Sequence, residues 1–154
     1  EYEKVQNGLY IIATPIGNLS DITIRSLKIL SCVDLILCED TRISKKLTNK
    51  FGIKTQLSPF HKFNSKSSIP LIIKKLQSGL SIAIISDAGT PIISDPGSDL
   101  VKSCAERNIR VFSLPGPSAS ISSFVTSNFV SSTFSFKGFY PRNKKATLVA
   151  FLLS

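Results

Sequence analysis

Ile82-Ala83-Ile84-Ile85-Ser86-Asp87-Ala88-Gly89-Thr90-Pro91-Ile92-Ile93-Ser94-Asp95-Pro96-Gly97 is the stretch whose reading decides the fold class. Ser81–Ile85 is a short, β-branched apolar run without alternation, the pattern of a strand buried on both faces. It stops at Ser86-Asp87, and Asp, Gly, Pro and Thr crowd the residues up to Gly97. Ser98-Asp99 then reads as the cap of a helix. Ordinary strand-to-helix connections run about two to six residues. This one is longer and stiff with proline, which marks it as a ligand loop at a strand's carboxyl end rather than a plain connector.

Outward from this unit the same grammar repeats. Leu9–Ala13 is a second buried-strand pattern that runs into Thr14-Pro15-Ile16-Gly17-Asn18. Ile22–Ser31 has helical spacing at Ile24, Leu27, Ile29 and Leu30, with Ser20 or Asp21 as N-cap. Asp34–Cys38 is the next strand and ends at the charged cluster Glu39-Asp40-Thr41-Arg42. Ile43–Phe51 reads as a basic helix closed by Gly52, Thr55–Ser58 as a short strand, and Pro59–Asn64 as a loop. Ser65–Ser78 is helical; Pro70 fits best in a first turn, which predicts a start near Ser68. Asp99–Arg107 is a helix and Arg110–Leu114 a strand. Pro115-Gly116-Pro117-Ser118 is a third Pro/Gly turn, Ser118–Ser127 a helix, and Phe134–Tyr140 a last strand. Strand, turn and helix recur four times, which predicts an α/β domain: three α/β/α layers around a largely parallel sheet. The pattern leaves the strand order open.

The bulk numbers agree. At 154 residues the chain fits one domain, and 42% hydrophobic against 19% charged residues excludes a disordered chain. No apolar run is long enough to cross a bilayer, and no basic-then-apolar signal opens the sequence. Cys32, Cys38 and Cys104 are odd in number and lack paired spacing, as reduced thiols of a cytoplasmic protein would. A single histidine without a ligand cluster argues against a metal site. Lys and Arg number 19 against 10 Asp and Glu, a net charge of +9. That favours an anionic partner, RNA first, or else reflects a general excess of lysine. The absence of Met, and an apolar run at Leu148–Ser154 without a stop signal, are expected of a piece of a longer protein.

The turns define the candidate chemistry. Each lies at a strand's carboxyl end, so they would gather on one edge of the sheet. Gly17, Gly89 and Gly116 would let a ligand approach the backbone, and the helix N-termini that follow would offer N–H groups. No dinucleotide or Walker phosphate-binding motif is present, and no nucleophile elbow. Asp87 would bind hydroxyls or a cationic group, or simply stabilise its turn. Asp95 reads as turn chemistry. Arg42 would pair with Glu39 or Asp40, or face a phosphate. His61 is the one imidazole available as a base, or a hydrogen-bonded surface group.

Five motifs in order carry a resemblance. They are residues 9–19 with Asp21-Ile22; Glu39-Asp40-Thr41-Arg42; Ser86-Asp87-Ala88-Gly89-Thr90-Pro91 with Ser94-Asp95-Pro96-Gly97; Leu114-Pro115-Gly116-Pro117-Ser118-Ala119; and Gly138-Phe139-Tyr140-Pro141-Arg142. Together they resemble the ribosomal RNA small subunit methyltransferase I family of the tetrapyrrole methylase superfamily. The resemblance implies S-adenosylmethionine as cofactor and methylation of a cytidine ribose 2′-hydroxyl in small-subunit ribosomal RNA. It implies an N-terminal α/β methylase domain over residues 1–138, and over 139–154 a junction and the truncated start of a second domain. By similarity Pro15, Asp87, Thr90, Gly116, Pro117 and Ser118 would bind the cofactor, and Asn18 and Arg42 the substrate. Glu39, Asp40 and His61 are the candidates for the base. Ribosomal RNA or the small subunit would be the partner, without membrane or metal, and the full-length protein would be a homodimer. Two alternatives remain: a methyltransferase for a corrinoid-type small molecule, and an inactive remnant that only binds RNA or a partner.

Overall fold

A computed structural model describes residues 5–130, 133–136 and 138. Five strands and five α-helices alternate in these residues: β1 (Gly8–Ile12), α1 (Ile24–Cys32), β2 (Leu35–Cys38), α2 (Thr41–Lys50), β3 (Leu57–Pro59), α3 (Ser65–Gln77), β4 (Ser81–Ile85), α4 (Ser98–Ala105), β5 (Val111–Leu114) and α5 (Ala119–Thr126). The strands form one sheet in the order β3-β2-β4-β1-β5, and every pairing is parallel. The expected α/β class and parallel sheet are therefore what the chain adopts.

The order explains the layers. From β1 the chain passes over one strand position to β2 and continues to β3. It then turns back, inserts β4 into the gap, and passes over β1 to β5. Right-handed crossovers in two opposite directions put their helices on opposite faces. Leu30 of α1 and Leu47 of α2 pack with Tyr10, Ile12, Ile36 and Ile85 on one face. Ile72, Ile73 and Leu76 of α3, with Leu100 and Cys104 of α4, pack with Leu9, Leu35, Ile82 and Ile84 on the other. All five residues of β4 are buried, because alternate side chains feed both cores. That is why this strand reads as an unbroken apolar run.

Register sets up everything that follows. Ile12 lies opposite Ile85 and Leu114, and Cys38 lies opposite Ile85 and Pro59. All five strands thus finish at one level, and the segments leaving them start from a common rim.

Several boundaries differ from the sequence reading, each for a local reason. Neither Ser20 nor Asp21 caps α1. Asn18 caps a 3₁₀ helix at Leu19–Asp21, and Thr23 then caps α1 by accepting from the Ser26 N–H at 3.0 Å. α2 starts at Thr41 rather than Ile43, because the Asp40 side chain accepts the Arg42 N–H and begins the helix early. α3 starts at Ser65 and holds Pro70 in its interior. The carbonyl one turn back, on exposed Lys66, loses its helical donor where water can replace it. The cap of α4 is Gly97, not Ser98 or Asp99. Its φ is 139°, and a Cβ there would lie 2.8 Å from Ile92 Cγ1, so only glycine serves. Of the expected last strand, residues 134–136 and 138 have no regular secondary structure, and its other residues lie outside those described. The expected junction over 139–154 lies outside them too.

The double-faced core yields a direct test. Ile84→Ala, at a side chain 2% exposed, is expected to cost about 2–5 kcal/mol in denaturant unfolding. Leu71→Ala, at a side chain 60% exposed, is expected to change stability by less than about 0.5 kcal/mol.

Candidate active site at the carboxyl edge of the sheet

Because the strands end in register, the loops after β1 (residues 13–18), β4 (86–97) and β5 (115–118) meet above the sheet. The first two are joined by an isolated antiparallel bridge between Thr14 and Gly89. The Thr14 N–H donates to the Gly89 carbonyl at 2.9 Å, and the Gly89 N–H donates back to the Thr14 carbonyl at 3.0 Å. The buried Thr14 hydroxyl donates to the Ser86 carbonyl at 2.9 Å, and the buried Ser86 hydroxyl to the Gly89 carbonyl at 3.0 Å. Buried hydroxyls need such partners, so both side chains are tied to the junction. The third loop closes on the other two. The Thr90 hydroxyl donates to the Pro117 carbonyl at 3.4 Å. Gly116 lies against Ala13, where an added Cβ would stand 2.8 Å from the Ala13 Cβ. Only the absence of a side chain permits that approach.

A fourth segment joins from β2. The Asp40 N–H donates to Asp87 Oδ1 at 3.2 Å, which links the start of α2 to the β4 loop. The Asp40 carboxylate is fully engaged with Arg42: it accepts the backbone N–H at 2.8 Å, Nε at 3.1 Å and Nη2 at 2.6 Å. Those Arg42 hydrogen bonds hold its carboxyl down to about 2. Glu39 goes the other way. Burial raises its pKa first, and the charges of Asp95 and Asp87 add to that. Asp95 is raised as well, by burial and then by Asp87. Glu39, Asp40, Asp87 and Asp95 are four of the chain's ten carboxylates, so a molecule of charge +9 carries a concentrated negative spot here.

His61 approaches from beyond β3. Its backbone N–H donates to Asn64 Oδ1 at 2.8 Å, and its ring lies close enough to Glu39 to act on it electrostatically. Its Nδ1 is buried without a hydrogen-bond partner. The β4 loop is also strained. Ile92 has φ 76° and Ser94 φ 67°, conformations costing about 1–3 kcal/mol each.

Three concavities open along this rim. The largest of the three, about 650 Å³, lies between Ile16, Asp21 and Thr23 on one side and Gly116, Pro117, Ser118, Ala119, Ile121 and Ser122 on the other. A second, about 170 Å³, is lined by Ala88, Gly89, Thr90, Asp95 and the first residues of α5. A third, about 250 Å³, is a slot between the β1 loop and α2, lined by Thr14, Pro15, Leu19, Ile43, Lys46 and Asp87 among others.

The candidate residues therefore converge, although they do not share one cavity. Pro15 and Asp87 line the slot, Thr90 and Ser118 the second concavity, and Gly116, Pro117 and Ser118 the largest. Glu39, Asp40 and His61 group beside Asp87 on the β2 side. Asn18 is exposed and accepts the Ser20 N–H at 3.0 Å, and exposed Arg42 grips Asp40. The sequence reading did not single out Thr14 and Ser86, which tie the loops together. Their only signal is a polar residue placed directly after a buried strand. Asp95, read there as turn chemistry, belongs electrostatically to the acidic group. Among the described residues no three His, Cys, Asp or Glu side chains form a metal-binding group, and no helix is long and apolar enough to cross a membrane.

Comparison with known proteins bears on the family and the fold. The family described as Tetrapyrrole (Corrin/Porphyrin) Methylases matches residues 8–137. A Thermotoga maritima protein named Ribosomal RNA small subunit methyltransferase I is 53% identical over 136 residues, covering 88% of this chain and 61% of that protein. Its namesake in Vibrio cholerae is 49% identical over 147 residues, covering 94% of this chain and 51% of that one. The Mesorhizobium japonicum protein of the same name is 45% identical over 137 residues, covering 89% and 47%. The chain thus spans about half the length of the curated relatives it matches. The crystal structure of uroporphyrin-III-C-methyltransferase from Thermus thermophilus superposes with a TM-score of 0.59 at 18% identity, covering 73% of this chain and 49% of that one. At that identity the likeness is one of fold.

The raised Glu39 carboxyl has a consequence for stability. The folded state binds this proton more tightly than the unfolded chain, so ionising Glu39 costs stability as pH rises through the carboxylate range. Glu39→Gln is expected to stabilise the protein at pH 7 by about 0.5 kcal/mol after allowance for solvent screening. The midpoint would rise by about 1–2 °C in thermal melts. The advantage should vanish at pH values low enough to protonate Glu39 in the parent.

Proposed function

The chain belongs to the tetrapyrrole (corrin/porphyrin) methylase family, and from that premise we propose that it works as an S-adenosylmethionine-dependent methyltransferase on small-subunit ribosomal RNA. The target in this reading is the 2′-hydroxyl of a cytidine ribose. The names carried by relatives at 45–53% identity support the RNA substrate over a corrinoid-type small molecule. The observation that carries the cofactor reading is the convergence of the three loops beside the acidic group. In this proposal the chain supplies one wall of the crevice and the remainder of a longer protein the other. A homodimer and a cytoplasmic location belong to the same reading.

The residues suit that cofactor on two counts. It carries a sulfonium and an ammonium, and Glu39, Asp87 and Asp95 offer negative charge to both. It also carries a carboxylate, and the start of α5 offers N–H groups that the Ser118 side chain does not cap. Asp87, Thr90, Gly116, Pro117 and Ser118 would hold it, with Pro15 on the neighbouring loop. When bound, it supplies an electrophilic methyl group on sulfur.

The protein's part is alignment and proton removal. Loops tied as these are would hold donor and hydroxyl in line, which reduces the entropic cost of the reaction. Glu39 is the candidate base best matched to that work. Its pKa is raised, whereas Asp40 is held at about 2 by Arg42 and is a poor acceptor at neutral pH. His61, with its buried unpartnered Nδ1, stands next to Glu39 as a second acceptor. Asn18 and Arg42 would meet the RNA from the rim.

Two experiments test this reading. Isothermal titration of the chain with S-adenosylmethionine should show binding that Asp87→Ala weakens at least about tenfold, with little change in unfolding midpoint. No heat at millimolar cofactor with an intact fold would refute an autonomous site. In a version extended to the length of its relatives, labelled methyl should pass to small ribosomal subunits. Label on a corrinoid substrate instead would refute the RNA assignment.

A further inference from the structure

We propose that α2, together with the slot it shares with the β1 loop, is the face on which RNA docks. The phosphodiester chain would run along α2, with one unstacked nucleoside in the slot. This rests on the RNA half of the reading above. What it adds is the surface.

The charges on α2 are ordered. Arg42, Lys46 and Lys50 recur every four residues, with Lys45 beside them, so they form one stripe on an α-helix. All four are exposed, and α2 contains no carboxylate. Like charges at this spacing destabilise a helix, so the stripe carries a cost unless an anion lies against it. Asp40, at the cap, offsets only Arg42. On the same face of the sheet α1 adds exposed Arg25 and Lys28, again with no carboxylate of its own. The opposite layer is different. α4 mixes Asp99 with Lys102, and of the three lysines of α3 only Lys66 stands in the first turn, while the paired Lys74 and Lys75 fall in the last. A helix of that length is about 20 Å long, so those two stand farther from the rim than Lys50 at the end of the shorter α2.

The slot joins this stripe to the candidate site. Its walls combine apolar Pro15, Leu19, Ile43, Leu47 and Ile85 with polar Thr14, Ser44, Ser86 and Asp87. Lys46 belongs to both slot and stripe. Apolar walls accept the face of a base, and the neighbouring cation accepts its phosphate. A base inside a duplex cannot enter unless it leaves the stack, so the fitting partner is a single-stranded or loop segment. A lipid surface fits poorly. It needs a broad exposed apolar face among the cations, whereas on α2 itself Leu47 is buried and Ile43 alone is exposed, at 42%.

The test compares two triple variants of the full chain, Lys45→Glu/Lys46→Glu/Lys50→Glu on α2 and Lys74→Glu/Lys75→Glu/Lys102→Glu on the other layer. Both make the same change in net charge, and both are first checked for native circular dichroism and unfolding midpoint. Binding of a short unstructured RNA is read by fluorescence anisotropy across a salt series. The α2 variant should lose at least about tenfold in affinity and flatten the salt dependence by about two units of slope. The other should stay within about threefold of the parent. A single 4-thiouridine in the RNA should photocrosslink to α2 and the β1 loop. Equal losses in the two variants, or crosslinks confined to α3 and α4, would overturn the docking face and leave the methyltransferase reading standing. A parent chain that binds no RNA would overturn both the face and the RNA half of that reading, but not its cofactor half. Loss of binding to phosphatidylserine vesicles in the α2 variant, with RNA binding intact, would overturn the proposal in favour of a membrane.

Discussion

The two-way hydrogen bond between Thr14 and Gly89 is the constraint on which the site depends. Neighbouring parallel strands place their loops side by side, but nothing in a parallel sheet requires those loops to touch. Here a single antiparallel bridge continues the contact between β1 and β4 past the end of the sheet, and two buried hydroxyls reinforce it. The third loop then closes by contact, Gly116 on Ala13, and the β2 edge by one hydrogen bond from Asp40 to Asp87. A rim assembled in this way is held by hydrogen bonds and one close backbone approach, above the strand ends of a sheet buried on both faces. It also tolerates strained backbone at Ile92 and Ser94, because the surrounding ties determine the loop's path.

Charge is distributed in a way the net value conceals. The chain is strongly basic overall, yet four of its ten carboxylates meet at one edge, where burial and mutual repulsion raise the pKa of Glu39 and Asp95 from their ordinary values. Arg42 neutralises one of the four and is also the first cation of the α2 stripe. The same helix thus stabilises one side of the acidic spot at its N-terminus and presents positive charge along its length. A small cation and a polyanion would find separate, adjacent places on such a surface.

Much of this was legible in the residues. Ser81–Ile85 declares itself because a strand buried on both faces cannot alternate, and the Pro/Gly turns after it are too dense for mere connectors. Four strand–turn–helix units therefore led to the parallel sheet, and turns at carboxyl ends led to a shared rim. The strand order was not legible. Leaving a gap at β1–β2 and filling it later with β4 depends on crossover geometry, which no local pattern encodes. Helix starts were missed where an upstream side chain captured the cap, as Asn18 and Asp40 do, or where packing demanded glycine, as at Gly97. The ties of the site were missed for a related reason. The Thr14 hydroxyl acts through a partner 72 residues away, a distance over which spacing arguments have no reach, and the Ser86 hydroxyl closes a local turn that looks like any other.

Amide hydrogen exchange, resolved by residue, tests the clamped rim most directly. The Thr14, Gly89 and Asp40 amides all lie outside the sheet's strands yet donate to protein acceptors. They should exchange slowly, with protection close to that of the β4 amides, and Asp87→Ala should release Asp40 while leaving Thr14 and Gly89 protected. Rapid exchange at Thr14 and Gly89 in a folded chain would mean that the loops move independently, and the shared rim would not exist as described.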